Sequence, residues 1–92
     1  MIERIQLRRS KGWRLPAGAK VVARPTRWGN PYKVAEHGAA RAVALYRESL
    51  AAMPPDERDG LLEPLRGATA LACWCKPGEP CHADVLIEFL QG

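Results

Sequence analysis

The feature that most constrains the fold is a short, almost wholly apolar run that follows Gly67. Residues 68–74 read Ala-Thr-Ala-Leu-Ala-Cys-Trp, and Thr69 is the one clearly polar side chain among them. A run of this length without polar alternation is typical of a strand buried on both faces, as in the middle of a sheet that helices cover. Residues 2–7, which alternate imperfectly, and residues 20–23 favour two further short strands. The sequence therefore predicts a small sheet with residues 68–74 at its centre.

Two segments carry apolar residues at helical spacing. The first runs from Gly38 to Met53 and ends before two consecutive prolines. The second is an amphipathic helix over residues 82–90, and residues 56–66 are expected to form a further helix or turns. This order of elements predicts an α/β fold: a single small domain over residues 1–92, with a short, mostly parallel or mixed sheet and helices packed on it.

Composition narrows the class of protein. No stretch approaches the roughly 18 apolar residues that a bilayer span needs, so we expect no membrane partner and a cytoplasmic location. Thiols stay reduced there, and an odd number of cysteines, three, argues against a disulfide framework. The sequence leaves the oligomeric state open.

All three cysteines lie within residues 73–81, and His82 follows the last of them. This segment would follow the carboxyl end of the central strand, where open α/β sheets bind ligands. In one interpretation Cys81 begins the last helix, whose positive end lowers the pKa of its thiol. Cys81 would then be a nucleophile with His82 as its base, or the helix amides would hold an anion next to Cys75.

Two other interpretations remain open for the same segment. Cys73, Cys75, Cys81 and His82 have the number and type of ligands for a zinc site, although their spacing is tighter than structural zinc sites favour. Alternatively the cysteines are small apolar fillers, a common role of buried thiols, and His82 makes local hydrogen bonds. Trp74 is expected on the opposite strand face, in the core.

Charge is distributed unevenly along the chain. Residues 1–33 hold nine lysines and arginines against one acidic residue, a net charge of +8, whereas residues 34–92 hold five against nine, a net charge of −4. Aromatic residues interleave with the cations, and Lys11, Trp13 and Arg14 could extend the basic surface. Such a segment suits phosphate-bearing partners, because arginines pair with phosphate and aromatic faces stack on bases. An ordinary solvated basic surface is the alternative.

Residues 24–32 form a loop that is dense in hydrogen-bond donors and aromatic rings. The candidate ligand-binding residues within it are Arg24, Thr26, Arg27, Trp28 and Asn30. The arginines can grip phosphate oxygens, the tryptophan can stack on a base, and the asparagine can read a base edge. In the structural alternative, the tryptophan covers a thin core and the asparagine serves a turn before Pro31.

Three blocks of sequence together resemble a known family. They are Lys11-Gly12-Trp13-Arg14-Leu15-Pro16, residues 24–31, and Leu71-Ala72-Cys73-Trp74-Cys75 followed by residues 80–86. The chain is identified by these blocks as similar to the domain of unknown function 4326 family of small bacterial and phage proteins. The cysteine-histidine turn is also similar to that of domain of unknown function 488, but Ala83 stands where that family has an arginine. The resemblance implies an α/β fold and a shared site, and it implies no reaction.

These observations favour an anionic ligand, a nucleotide or a nucleic acid, at a site formed by residues 24–32 and the Cys81-His82 helix start. A hydrolase or transferase reaction could follow binding. The alternatives are a non-catalytic nucleic-acid-binding or adaptor module and a zinc-stabilised interaction domain. No cofactor is predicted apart from the zinc alternative.

Overall fold

The computed structural model describes residues 2–24, 26–76 and 78–91. Pro25, one of the prolines expected to stiffen the loop, lies outside the described residues. The elements in chain order are β1 (Glu3–Gln6), β2 (Ala19–Val21), α1 (Val34–His37), α2 (Ala39–Ala52), α3 (Pro55–Leu62), a 3-10 turn (Glu63–Leu65), β3 (Ala70–Cys73) and α4 (His82–Gln91). The predicted α/β fold is confirmed.

The sheet has the strand order β1-β3-β2, and both pairings are parallel. Glu3 of β1 and Ala19 of β2 both lie opposite Ala70, the first residue of β3. All four residues of β3 are buried, as the uninterrupted apolar run predicts for a central strand. Because the strands are parallel and in register, their carboxyl ends meet at one edge of the sheet, which we call the carboxyl edge.

The helices supply about half of the buried apolar core, and α4 lies directly against the sheet. Helix α4 packs against β3, β1 and α2. Its Val85 and Leu86 are fully buried, and each contributes roughly 1.5–3 kcal/mol by leaving water. None of the helices in the described part of the chain has the length and apolar character needed to cross a bilayer.

Helix boundaries follow local chemistry closely. Helix α2 matches the predicted segment and ends before Pro54, and α3 begins at Pro55, where the missing N–H of proline costs nothing. Helix α1 was not expected. It is a single turn, separated from α2 by Gly38, whose φ of 79° is a left-handed conformation that glycine adopts at low cost.

Candidate functional site

A cleft of about 160 Å³ opens at the carboxyl edge, between the loop that follows β2 and the turn that follows β3. The loop contributes Arg24, Asn30 and Tyr32 to its wall. The β3–α4 turn contributes all three cysteines together with Trp74, Pro80 and His82, and small apolar residues of α2 close the base. Arg24 is the only charged side chain among the described residues that line the cleft. The two regions singled out in the sequence therefore share one cavity.

The three cysteines form a compact cluster in the cleft wall. Their Sγ atoms all lie within 4.8 Å of one another, and the Sγ atoms of Cys73 and Cys81 are 2.8 Å apart. Cys73 and Cys81 are 1% exposed, whereas Cys75 is partly exposed. Cys73 ends β3 and Cys81 immediately precedes α4. The turn between them thus brings thiols from both ends of the 73–81 segment into contact.

The expected lowering of the Cys81 pKa is wrong. The contact with Cys73 and burial raise the pKa of the Cys81 thiol to about 12, and the same contact lowers the pKa of Cys73. Burial also raises the pKa of Cys75 to about 11. In the Cys73–Cys81 pair one sulfur keeps its proton and donates it to the other, so ionisation of one thiol suppresses that of its neighbour. The helix end does not outweigh these effects.

His82 is 8% exposed and is held by contacts on two sides. Its Nε2 lies 2.7 Å from the carbonyl oxygen of Val22 and donates to it, and its Nδ1 lies 3.9 Å from the Sγ atom of Cys81. Its ring packs edge-on against Tyr46, with centroids 5.3 Å apart. His82 does not belong to the cysteine cluster, so the four-ligand zinc set reduces to three thiols.

A backbone amide at the amino end of α4 makes a hydrogen bond with Cys81. The backbone N–H of Ala83 points at the Sγ atom of Cys81 at 3.5 Å. The sulfur therefore accepts from an amide that would otherwise be unpaired at the helix start. An anion at this helix end would have to share the first turn with this internal contact.

The middle of the loop, residues 26–28, does not line the cleft. Thr26 donates to the carbonyl oxygen of Ala23 at 2.6 Å. Arg27 donates to the carbonyl oxygens of Gly60 and Leu61, and Trp28 donates its ring N–H to Leu61 at 2.8 Å. None of Thr26, Arg27 and Trp28 is among the residues that line the cleft. These contacts fasten the loop to α3.

Asn30 lines the cleft, but its polar atoms bind the protein itself. Its Nδ2 donates to Ala42 at 3.1 Å, and its Oδ1 accepts from the backbone N–H of Tyr32 at 2.9 Å. Asn30 therefore shapes the loop. Of the loop residues predicted to bind a ligand, Arg24 remains available within the cleft.

Gly29 allows the loop to fold back on Arg24. A Cβ atom at Gly29 would lie 2.5 Å from the Cγ atom of Arg24 and 2.9 Å from its Cα atom, both far inside ordinary contact distance. The loop also closes through backbone hydrogen bonds from Thr26 to Ala23 and from Gly29 to Thr26. The position of Arg24 at the cleft thus depends on the absence of a side chain at residue 29.

Comparison with known protein families gives a match over residues 5–92 to the family model described as Domain of unknown function (DUF4326). The chain belongs to this family. No curated protein and no solved structure matches it. The family resemblance seen in the sequence blocks is confirmed, and the carboxyl-edge cleft is formed by residues within the DUF4326 match.

Arg4 holds the cysteine turn of this DUF4326 domain in place, a role that the sequence did not indicate. From β1 its guanidinium group donates to the backbone oxygens of Glu79 and Lys76 at 2.8 and 3.2 Å, and to the Asp84 carboxylate at 3.0 Å. The partners lie 72 to 80 residues away along the chain. The one local signal is a cation that precedes two half-buried residues of the strand, Ile5 and Gln6.

Trp74 lies at the surface of the DUF4326 domain and not in its core. It was expected in the core, but β3 ends at Cys73 and Trp74 is 47% exposed. The strand alternation that would have turned it inward does not continue to residue 74. Its ring lines the cleft, and the guanidinium carbon of Arg9 lies 4.8 Å from the ring centroid.

The cysteine cluster is also the part of the DUF4326 domain that could hold a metal ion. In a tetrahedral zinc site with Zn–S bonds of about 2.3 Å, neighbouring sulfurs lie about 3.8 Å apart. The observed separations lie on both sides of this value: the Sγ atoms of Cys73 and Cys81 are 2.8 Å apart, and the cluster as a whole spans up to 4.8 Å. The three thiols could hold a soft divalent cation once the Cys73 and Cys81 side chains move apart, with one coordination position left over.

Proposed function

We propose that the carboxyl-edge cleft binds an anionic ligand related to nucleotides or nucleic acids. The observation that carries the proposal is the shared cleft, in which the Arg24 side chain faces a wall that is otherwise uncharged. Arg24 is exposed and makes no ion pair or side-chain hydrogen bond within the described residues. An unpaired guanidinium group at the mouth of a neutral cavity attracts anions and can hold a phosphate with two hydrogen bonds.

The surroundings of the cleft support an anion over a cation as the charged ligand. The net charge of +8 over residues 1–33 attracts anions over a longer range than one side chain can. The amino end of α4, with its partial positive charge, lies at the same cleft through Cys81 and His82. Binding is the function that this geometry supports best, because one exposed guanidinium group faces an otherwise neutral and largely apolar wall.

Titration with nucleoside monophosphates and with the matching nucleosides tests the proposal. We expect each monophosphate to bind more tightly than its nucleoside, and Arg24→Gln to weaken monophosphate binding about tenfold, as loss of one charge-assisted hydrogen bond would. Arg47→Gln is the matched control, because Arg47 pairs with Glu88 away from the cleft. Equal binding of nucleosides and monophosphates, or an unchanged affinity in Arg24→Gln, would contradict the proposal.

A second candidate function rests on the cysteine cluster. We propose that Cys73, Cys75 and Cys81 hold a zinc ion that stabilises the β3–α4 turn, since three thiols this close together match zinc chemistry. Protein purified without chelator should then contain about one equivalent of zinc by elemental analysis. Cys75→Ser should lower the content severalfold, and Arg47→Gln should leave it unchanged. Less than about a tenth of an equivalent in the unmodified protein would exclude the centre.

A further inference from the structure

The cleft is small for the ligand class proposed above. Small-molecule pockets usually enclose about 300–1,000 Å³, whereas this cleft holds about 160 Å³. It can accept a phosphate group or a single ring, and the remainder of a nucleotide would lie outside. The surface around the cleft mouth therefore determines what is attached to the enclosed group.

Trp74 presents an aromatic surface at this mouth. It follows β3 directly, lines the cleft and is 47% exposed. Arg9, which follows β1, places its guanidinium group 4.8 Å from the indole centroid. Exposed aromatic rings next to arginines are the usual means by which proteins hold unstacked bases, because every base has a face that can stack.

Exposed cations are concentrated in residues 8–33, which include the segments that follow β1 and β2. Because the three strands end at one edge, the segment after β1 brings Arg8 and Arg9 to the same edge as Arg24 after β2 and Trp74 after β3. Arg8 and Trp13 also line a second hollow of about 320 Å³ next to β1. Among the described residues of the segment 8–33, the following exposed cations make no ion pair and no side-chain hydrogen bond: Arg8, Arg9, Lys11, Arg14, Lys20, Arg24 and Lys33.

We infer that the ligand is a single-stranded nucleic acid, of which one group enters the cleft while a neighbouring base stacks on Trp74. Its backbone phosphates lie along the cations that follow β1. This inference rests on the proposed function and names its ligand class. A single strand is specified because its bases can unstack from one another and stack on Trp74. The bases of a duplex remain stacked inside the double helix and cannot do so.

Fluorescence anisotropy with an end-labelled oligothymidylate of about 12 nucleotides tests the inference, with a duplex of the same length and thymidine monophosphate as competitors. We expect the single strand to bind more tightly than either competitor. Trp74→Ala should weaken its binding at least about fivefold, the lower end of what one stacked base contributes, and Trp74→Phe should retain most of the affinity. Far-ultraviolet circular dichroism verifies that each variant is folded.

Salt dependence gives a second readout that a structural role of these residues would not change. Between about 50 and 200 mM salt, Arg9→Gln should reduce the log–log slope of affinity against salt by about 0.7, the value for one phosphate of a single strand. Arg47→Gln, which also removes one positive charge, should leave the slope unchanged because Arg47 pairs with Glu88.

The outcomes separate the inference from the proposed function. If monophosphate binds and depends on Arg24 but the oligonucleotide binds no more tightly, the cleft function stands and the inference is overturned. A duplex that binds as well as the single strand, or an affinity unchanged in Trp74→Ala, also overturns it. If Trp74→Ala weakens oligonucleotide binding while Arg24→Gln does not, the stacking surface is supported and the proposed cleft function fails.

Discussion

Two groups of arginines differ in what they contact: those around the groove between α2, α3 and α4, and those that follow β1 and β2 at the carboxyl edge. On the face formed by α2, α3 and α4, Arg47 pairs with Glu88 at 2.8 Å and Arg58 donates to the carbonyl oxygen of Leu50 while lying over Phe89. Arg66 on this face pairs with acidic neighbours. The arginines of the carboxyl edge make no ion pair within the described residues; they are Arg8, Arg9 and Arg24.

The contrast shows that the number of cations on a surface is a poor guide to a binding site. A paired arginine has already exchanged its water for a carboxylate or a carbonyl oxygen, and a new anion would have to displace that partner. An exposed arginine without such a partner, such as Arg8 or Arg24, loses only water when it binds, whereas Arg9 already lies over the Trp74 ring. The carboxyl edge is therefore the face at which we expect anion binding, although the helical face also has three arginines around an open groove.

The largest effect should come from metal removal, which acts on the carboxyl edge alone. If zinc is bound at a thousandfold excess over its Kd, a chelator should lower the free energy of unfolding by about 4 kcal/mol. Chemical denaturation with and without chelator measures this difference. Cys75→Ser should abolish the response to chelator and Arg47→Gln should retain it. Identical denaturation curves for the unmodified protein in both conditions would contradict a metal at this edge.

The next largest effect should come from Arg4, the one basic side chain of β1, which is engaged with the cysteine turn. Arg4→Gln removes a charged donor from two carbonyl oxygens and a carboxylate, and we expect a loss of about 2 kcal/mol in the free energy of unfolding. Chemical denaturation measures the loss. Arg66→Gln, whose partners are exposed carboxylates, is the comparison. Equal losses in the two variants would show that the Arg4 contacts stabilise the fold no more than an exposed ion pair does.

A smaller effect is expected at Arg27, which lies in the middle of the loop and outside the lining of the cleft. Arg27→Gln loses its bonds to Gly60 and Leu61, so we expect a loss of about 1 kcal/mol in unfolding free energy and no change in monophosphate affinity. Arg24→Gln should show the reverse, with reduced affinity and unchanged stability. Denaturation and titration of both variants provide the test. A reduced affinity in Arg27→Gln would show that Arg27 also contributes to the binding site.

The smallest effect should come from Arg47 on the helical face. Its pair with Glu88 is about half-exposed on both sides, and exposed ion pairs contribute little to stability. We expect Arg47→Gln to leave the midpoint of unfolding and the oligonucleotide affinity within experimental error. A clear fall in affinity would show that arginines of both faces reach the same ligand.

The parts of the fold that depend on local pattern were predictable. The apolar run at 68–74 indicated a central strand, and apolar spacing indicated α2 and α4 within one or two residues of their ends. The prediction for Trp74 was wrong because the alternation of side chains along a strand does not indicate the residue at which the strand ends. Cys75 approaches Cys73 through the turn, since only Cys73 belongs to β3.

The candidate site was predictable as a location and less so in its residue roles. The arrangement of parallel strands accounts for the meeting of the loop and the cysteine turn. Arg27 differs from Arg24 because it reaches a backbone oxygen of α3. The Arg4 contacts join residues more than 70 positions apart in the chain. Neither relation leaves a pattern in the neighbouring sequence.

The strand order has a consequence for how the chain acquires its structure. β1 and β2 form no ladder with each other, and each pairs only with β3, which lies some fifty residues beyond β2. A nascent or truncated chain that lacks residues 70–73 would have no β-structure from these elements. Assembly of the sheet must await the last strand to be synthesised, and such distant pairing is expected to make folding slow.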